Sequence, residues 1–180
     1  MDFKKPILEA FSNELLLECE SIYNQKSQTP QKSAKYAQDI LEFGKKLFDD
    51  KEIHDDEIHA SIWDCYARSK LYSPRGSTTL ALSFFYNSEL LFHLAKYEDC
   101  IKDTDRALEM VESLSDKVEL LCRKAKCMAI LRNPAKDTAL EEAKLFQQKI
   151  NCPNSLKEIE LMIEETEQLL AKYSAEVNWY

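Results

Sequence analysis

The sequence predicts an all-α fold, and three observations predict it. Only two glycines, Gly44 and Gly76, and five prolines occur in 180 residues, too few for hairpin-rich sheets or glycine-rich phosphate loops. Apolar residues recur at steps of three and four along most of the chain, the period of a helix with one buried face. No run alternates polar and β-branched residues as a half-buried strand does. The hydrophobic fraction of 44% leaves enough material for a sizeable core in a single domain.

The elements follow in order. Residues 1–24 carry an amphipathic helix over 5–24, in which Ile7, Leu8, Phe11, Leu15, Cys19 and Ile22 share a face. Residues 25–33 are polar, contain Pro30, lack periodicity and read as a linker. A helix from about Ala34 to Phe48 follows, with Gly44 allowing close packing near its end. A charged loop over 49–57 leads to a partner helix from about Ile58 to Tyr72, which Pro74 stops. The stretch from Leu80 to Leu108 forms two more helices joined by a tight turn at Ala95-Lys96. A further pair begins near Asp116, where Asp116 and Glu119 suggest a capping box. It breaks at Asn133-Pro134 and resumes over 136–149 with Ala139, Ala143 and Phe146 on one face. The last helix, over 154–173, is expected to be capped by Ser155-x-x-Glu158. Its stripe is Ile159, Ile163, Thr166, Leu170 and Tyr173, with glutamates opposite. Residues 174–180 read as a tail.

Charge and cysteine usage exclude several classes of function. A net charge of −8 disfavours nucleic acid and anionic membrane surfaces as partners. No apolar run approaches the length of a transmembrane helix, and the start, Met1-Asp-Phe-Lys-Lys-Pro-Ile7, lacks the apolar core of a signal peptide. The expected compartment is the cytoplasm, with the nucleus second. The six cysteines at 19, 65, 100, 122, 127 and 152 show no two-residue spacing, so reduced, buried thiols are expected rather than a metal or redox motif. No metal and no cofactor is expected.

The helix pairs have a recognisable pattern. The second helix of the central pair opens with Tyr97-Glu98-Asp99 and carries Cys100, Thr104 and Ala107 at steps of four and three. Ile62, Tyr66 and Ser69 repeat that spacing. This resembles the tetratricopeptide repeat (TPR), a helix–turn–helix unit of about 34 residues. The resemblance implies a right-handed TPR solenoid of about three repeats, at 34–74, 78–112 and 116–149, flanked by the N-terminal helix and the C-terminal capping helix. It departs from the usual pattern in the first repeat, which carries about six extra residues between its helices. The stretch Leu91-Phe-His-Leu-Ala-Lys-Tyr-Glu-Asp-Cys-Ile-Lys-Asp-Thr-Asp-Arg-Ala-Leu108 is similar to the TPR segment of the SET-and-MYND-domain (SMYD) lysine methyltransferases. The catalytic parts of that family are missing: no close-spaced cysteine pairs supply a MYND zinc module, and no residues remain for a SET domain.

The TPR resemblance implies a protein-binding groove on the concave side. Counting positions two, five, nine and twelve of each first helix assigns to it Gln38, Leu41, Lys45 and Phe48, then Leu82, Phe85, Glu89 and Phe92, then Glu119, Cys122, Lys126 and Ala129. Phe85 and Phe92 are the expected apolar anchors, with Lys45, Arg123 and Lys126 as rim charges. The family's clamp for acidic chaperone C-termini would use the positions of Leu41 and Lys45, Tyr86, and Glu119 and Arg123. Only Arg123 matches in kind, and Glu119 would repel an acidic tail. The expected function is therefore a non-catalytic adaptor or scaffold that binds a protein or peptide segment, apolar or mixed. The alternatives are a co-chaperone adaptor, a substrate-recruiting part of a SET/MYND-like protein and a dimerisation module. A monomer is expected over a dimer. Helix 5–24 is expected to stack on the outer face of the first repeat, with folding back into the groove or a partner-binding role of its own as the alternatives.

Catalysis has little support. His54 and His59 beside Asp55, Asp56 and Glu57 form a charged loop without a glycine to shape a metal site. Ser88 and Cys100 sit at helix-packing positions, and no serine lies in a glycine-flanked nucleophile elbow.

Overall fold

The computed structural model describes residues 30–49 and 56–175. The N-terminal segment to residue 29, the charged stretch 50–55 and residues 176–180 lie outside the described residues, and with them the expected helix 5–24. Among the described residues all regular structure is helical: α1 Pro30–Asp49, α2 Asp56–Tyr72, α3 Thr78–His93, α4 Tyr97–Leu108, α5 Leu114–Ile130, α6 Lys136–Gln147 and α7 Pro153–Ala175. None of these is long and apolar enough to cross a membrane.

Several helix starts differ from the sequence expectation; α2 begins at Asp56, inside the stretch read as a charged loop. α1 begins at Pro30, inside the segment read as linker. Proline at a first helical position gives up no needed donor, and its φ is already helical. α7 likewise begins at Pro153 rather than after Ser155, and it extends to Ala175, two residues beyond the expected end at 173. In α5 the cap is Ser113, whose hydroxyl accepts the Asp116 backbone N–H at 3.3 Å. The Asp116–Glu119 box does not form, because Glu119 turns towards Arg123.

Two of the hairpins close with the same backbone motif. After α3, Ala95 takes a left-handed conformation with φ 55°. Its N–H bonds the Phe92 carbonyl, and the Lys96 N–H bonds that of Leu91. After α5, Arg132 has φ 56°, its N–H bonds the Ala129 carbonyl, and the Asn133 N–H reaches Met128. Both are Schellman motifs, which satisfy orphan carbonyls at a helix end. Ser77 caps α3 as Ser113 caps α5. The two hairpins are thus copies of one design, offset by 36 residues at the caps and 37 at the turns. At the start of the second hairpin, Gly76 supplies φ 72° in the turn that closes from the Ser77 N–H to the Pro74 carbonyl.

Each helix packs on the next, so that α1/α2, α3/α4 and α5/α6 form antiparallel hairpins. The first helices also pack on one another: α1 on α3, α3 on α5, and α5 on α7. No comparable packing joins α2 to α4 or α4 to α6 among the described residues. The first helices and α7 therefore form an inner layer, and α2, α4 and α6 an outer one. The core is serial. Tyr36, Ile40 and Cys65 pack within the first hairpin. Ala81, Phe85, Ala107, Val111 and Leu120 join the middle hairpin to α5. A larger group around Val118, Leu121, Ala139, Ile159 and Ile163 fills the C-terminal end. The expected packing stripes Ile62/Tyr66/Ser69 and Cys100/Thr104/Ala107 are buried, as are Ile159, Ile163, Thr166 and Leu170 of α7.

Close approach needs small residues. A Cβ on Gly44 would lie 2.9 Å from the Cys65 Cβ and 2.9 Å from the Tyr66 ring. Polar pins hold neighbouring helices in register. Ser69 donates to the Ala37 carbonyl at 2.8 Å and lies 2.7 Å from the Ser83 hydroxyl, which ties α2 to α1 and α3. Lys70 reaches Asp103 at 2.9 Å from α2 to α4, and Lys124 reaches Asp105 at 2.6 Å from α5 to α4.

Two substitutions test this account in opposite directions. Gly44→Ala gains about 1 kcal/mol of helix propensity, but the Cys65 Cβ cannot yield without moving backbone. Overpacking should win, with a net loss of about 1 kcal/mol in urea unfolding. Ala95→Gly relieves the left-handed conformation and should add about 0.5–1 kcal/mol, raising Tm by about 2 °C.

Candidate binding groove

Helical periodicity brings polar and apolar side chains together on the inner layer. α1 presents Gln38, Leu41, Glu42 and Lys45, at steps of three, one and three. α5 presents Glu119, Cys122, Arg123 and Lys126 at the same steps, and α7 presents Glu158, Leu161, Met162 and Glu165. Such positions share one helix face. On α3 the stripe is Leu82, Tyr86, Glu89 and His93.

These faces enclose two clefts. One, of about 350 Å³, lies between α1 and α3, with Leu41, Lys45, Leu82 and Tyr86 among its walls. The other, of about 380 Å³, lies between α3, α5 and α7. α3 contributes to both clefts, Leu82 and Tyr86 to the first and Glu89 and His93 to the second.

Of the side chains expected in the groove, Leu41, Lys45 and Leu82 line the first cleft. Glu89, Phe92, Glu119, Cys122, Arg123 and Lys126 line the second. Phe48, Phe85 and Ala129 line neither, and Ala129 is buried in the C-terminal core. Phe48 packs against the inner core of α1 and α2 and meets the His93 ring edge to face, with centroids 5.2 Å apart. Phe85 is only 6% exposed. The Arg123 guanidinium lies over its ring, 4.9 Å from the centroid, and its groove place is taken by Tyr86. Phe92 is half-buried against Leu91, Cys100 and Cys127, and Leu82 is half-buried against the α1–α2 cluster. The expected open patch of Leu82, Phe85 and Phe92 is thus replaced by a groove with an apolar floor and charged walls.

Arg123 is the central charged group of the site, although only 8% exposed. Its Nη1 donates to the Phe85 carbonyl at 3.1 Å and to the Ser88 hydroxyl at 2.7 Å. Its Nη2 donates to Glu119 Oε1 at 2.6 Å and lies 4.0 Å from Glu89 Oε2. A buried guanidinium is tolerable when its donors are satisfied in this way. Burial pushes the Glu119 carboxyl above the ordinary carboxylate range. Arg123 opposes that shift, and the nearby Glu89 adds to it. Lys45 bonds Asp49 at 2.6 Å, which raises its pKa, and lies 5.4 Å over the Tyr86 ring. Burial raises the Tyr86 phenol.

Below the groove, two thiols meet. Cys127 donates to Cys100 at 3.4 Å, and Cys100 donates to the Ser88 carbonyl at 3.1 Å. Both are fully buried. The bond from Cys127 holds the Cys100 thiol below its ordinary range, and the same bond raises Cys127. Among the described residues, no group of three or more His, Cys, Asp or Glu is placed to hold a metal ion. His54 lies outside the described residues.

Sequence reasoning reached Tyr86 only as a clamp position and missed His93 and the α7 contribution of Glu158, Leu161, Met162 and Glu165. The signal was present: Leu161 and Met162 flank the core stripe of α7 at groove spacing. Comparison of the chain with protein-family models, with curated proteins and with solved structures returns no match.

Two outcomes check the Arg123 account. Arg123→Ala strands Glu119 and opens the α3–α5 contact, and should cost about 3 kcal/mol in chemical unfolding. The pair Arg123→Met with Glu119→Gln, which removes both charges, should stay within about 1 kcal/mol of wild type. A carboxyl raised in the folded state binds protons more tightly there than in the unfolded chain. Its contribution to stability therefore falls as pH rises from the ordinary carboxylate range through the folded pKa. Glu119→Gln should accordingly gain on wild type as pH rises through that window, measured by unfolding at a series of pH values. A constant difference would show that Glu119 does not titrate abnormally.

Proposed function

We propose that the chain is a non-catalytic protein-interaction module of the tetratricopeptide type, a right-handed solenoid that holds a peptide segment of a partner along its inner groove and acts inside the cell as an adaptor or scaffold. One observation carries this reading. Counting repeat positions along the sequence selects groove residues, and all of them in that set except Phe48, Phe85 and Ala129 line the two clefts of the inner layer. The matched serine caps and Schellman turns support a repeated unit. So do the small buried residues Gly44, Ser88 and Ala125, one on each first helix.

The SMYD-like stretch supplies mainly packing. Leu91, Cys100, Thr104 and Ala107 are buried, and only Phe92 and His93 of that stretch line a cleft. Its similarity therefore bears on how this corner folds and says little about what is bound. A clamp for acidic chaperone tails is disfavoured. Arg123, the one clamp-type cation, spends its donors on α3 and Glu119, and four carboxylates stand around it in the same cleft.

The test uses two leucines of equal exposure. Leu161 and Leu145 are each 57% exposed, but Leu161 lines a cleft and Leu145 lies on outer-layer α6. A photo-crosslinking residue at 161 should capture a discrete protein in cells, and the same residue at 145 should not. Capture of the same species from both positions, or from 145 alone, would sink the groove reading.

A further inference from the structure

The cleft between α3, α5 and α7 has an apolar floor and an unbalanced wall. Phe92, Cys122, Met162 and Leu161 form the apolar part, and Leu161 is one of the few large apolar side chains left in solvent. Glu89 and Glu119 stand on the α3 and α5 side, with Glu158 and Glu165 opposite on α7. Two cations oppose these four carboxylates. Arg123 is buried and turned towards α3, and Lys126 lies 3.9 Å from Glu165. A ligand entering this cleft meets apolar surface first and net negative charge around it.

We infer that this cleft takes a basic amphipathic peptide segment. A leucine- or phenylalanine-like side chain sits on Phe92, Leu161 and Met162, and a lysine or arginine about one turn away lies among Glu89, Glu158 and Glu165. The inference rests on the groove reading and adds the partner's chemistry to it. Three other occupants fail on charge. The chain's own segment 5–24 carries Lys5 against Glu9, Glu14, Glu18 and Glu20, so like charges would meet. A second copy of the chain brings its own net charge of −8. An acidic tail meets the same four carboxylates. The cleft volume of about 380 Å³ suits one or two side chains of a longer segment, at the small end of ligand pockets.

The experiment is selection of a phage-displayed random dodecapeptide library on the full 180-residue chain. The best peptide is then synthesised and titrated by fluorescence anisotropy. The titration is repeated with Leu161→Asp and with the double variant Glu158→Gln, Glu165→Gln. All three substitutions fall on exposed or half-buried positions, and circular dichroism checks that helicity is kept. The expected peptides combine lysine or arginine with leucine, phenylalanine or methionine. Binding should be lost in Leu161→Asp, weaken about tenfold in the double variant, and weaken further with salt. Acidic or neutral peptides that still need Leu161 would overturn the basic-partner inference and leave the groove reading standing. No enrichment, or enriched peptides indifferent to Leu161→Asp, would overturn both.

Discussion

The guanidinium of Arg123 ties the inner layer together. It reaches from α5 into α3, where it bonds a backbone carbonyl and a serine hydroxyl, and it covers the Phe85 ring. A charge held at 8% exposure would be costly without partners. Here every neighbour of consequence is an acceptor or an aromatic face. Its position in the chain order gives it reach. α3 and α5 are the middle members of the inner layer, so the register they take against each other is passed to α1 on one side and α7 on the other. The same side chain separates core from groove: below it lie Phe85 and the thiol pair, above it Glu119 and Glu89.

Around that junction, backbone proximity depends on what is missing from side chains. Gly44 lets α1 approach Cys65 and Tyr66. Ser88 is small enough for the Cys100 sulfur to reach its carbonyl, and Ala125 is fully buried among the C-terminal core. Hydrogen bonds between serines, and ion pairs such as Lys70–Asp103, then fix which turn faces which. Apolar burial supplies the drive for assembly but is tolerant of sliding, whereas these directional contacts are not.

Much of this was legible in the sequence. The helix-forming pattern, the tight turn at Ala95 and the outer-layer stripes through Tyr66 and Thr104 all follow from spacing alone. Helix starts were less legible, because Pro30 and Pro153 read as breakers until their use at a first helical position is seen. Phe85 was misplaced because a position count cannot know that an arginine from another helix will cover it. The groove role of α7 was hidden for a different reason. Its core stripe and its groove stripe are adjacent, so Leu161 and Met162 look like the ragged edge of one face. Glutamates such as Glu158 and Glu165 look solvent-facing until α3 and α5 are placed opposite them.

Inner helices pack on one another along the stack, whereas outer helices among the described residues meet through isolated contacts such as Lys70–Asp103. Mechanically this resembles a book, with α1, α3, α5 and α7 as the spine and α2, α4 and α6 as the pages. A segment bound along the spine, as proposed, would touch several of these helices at once and so oppose their separation.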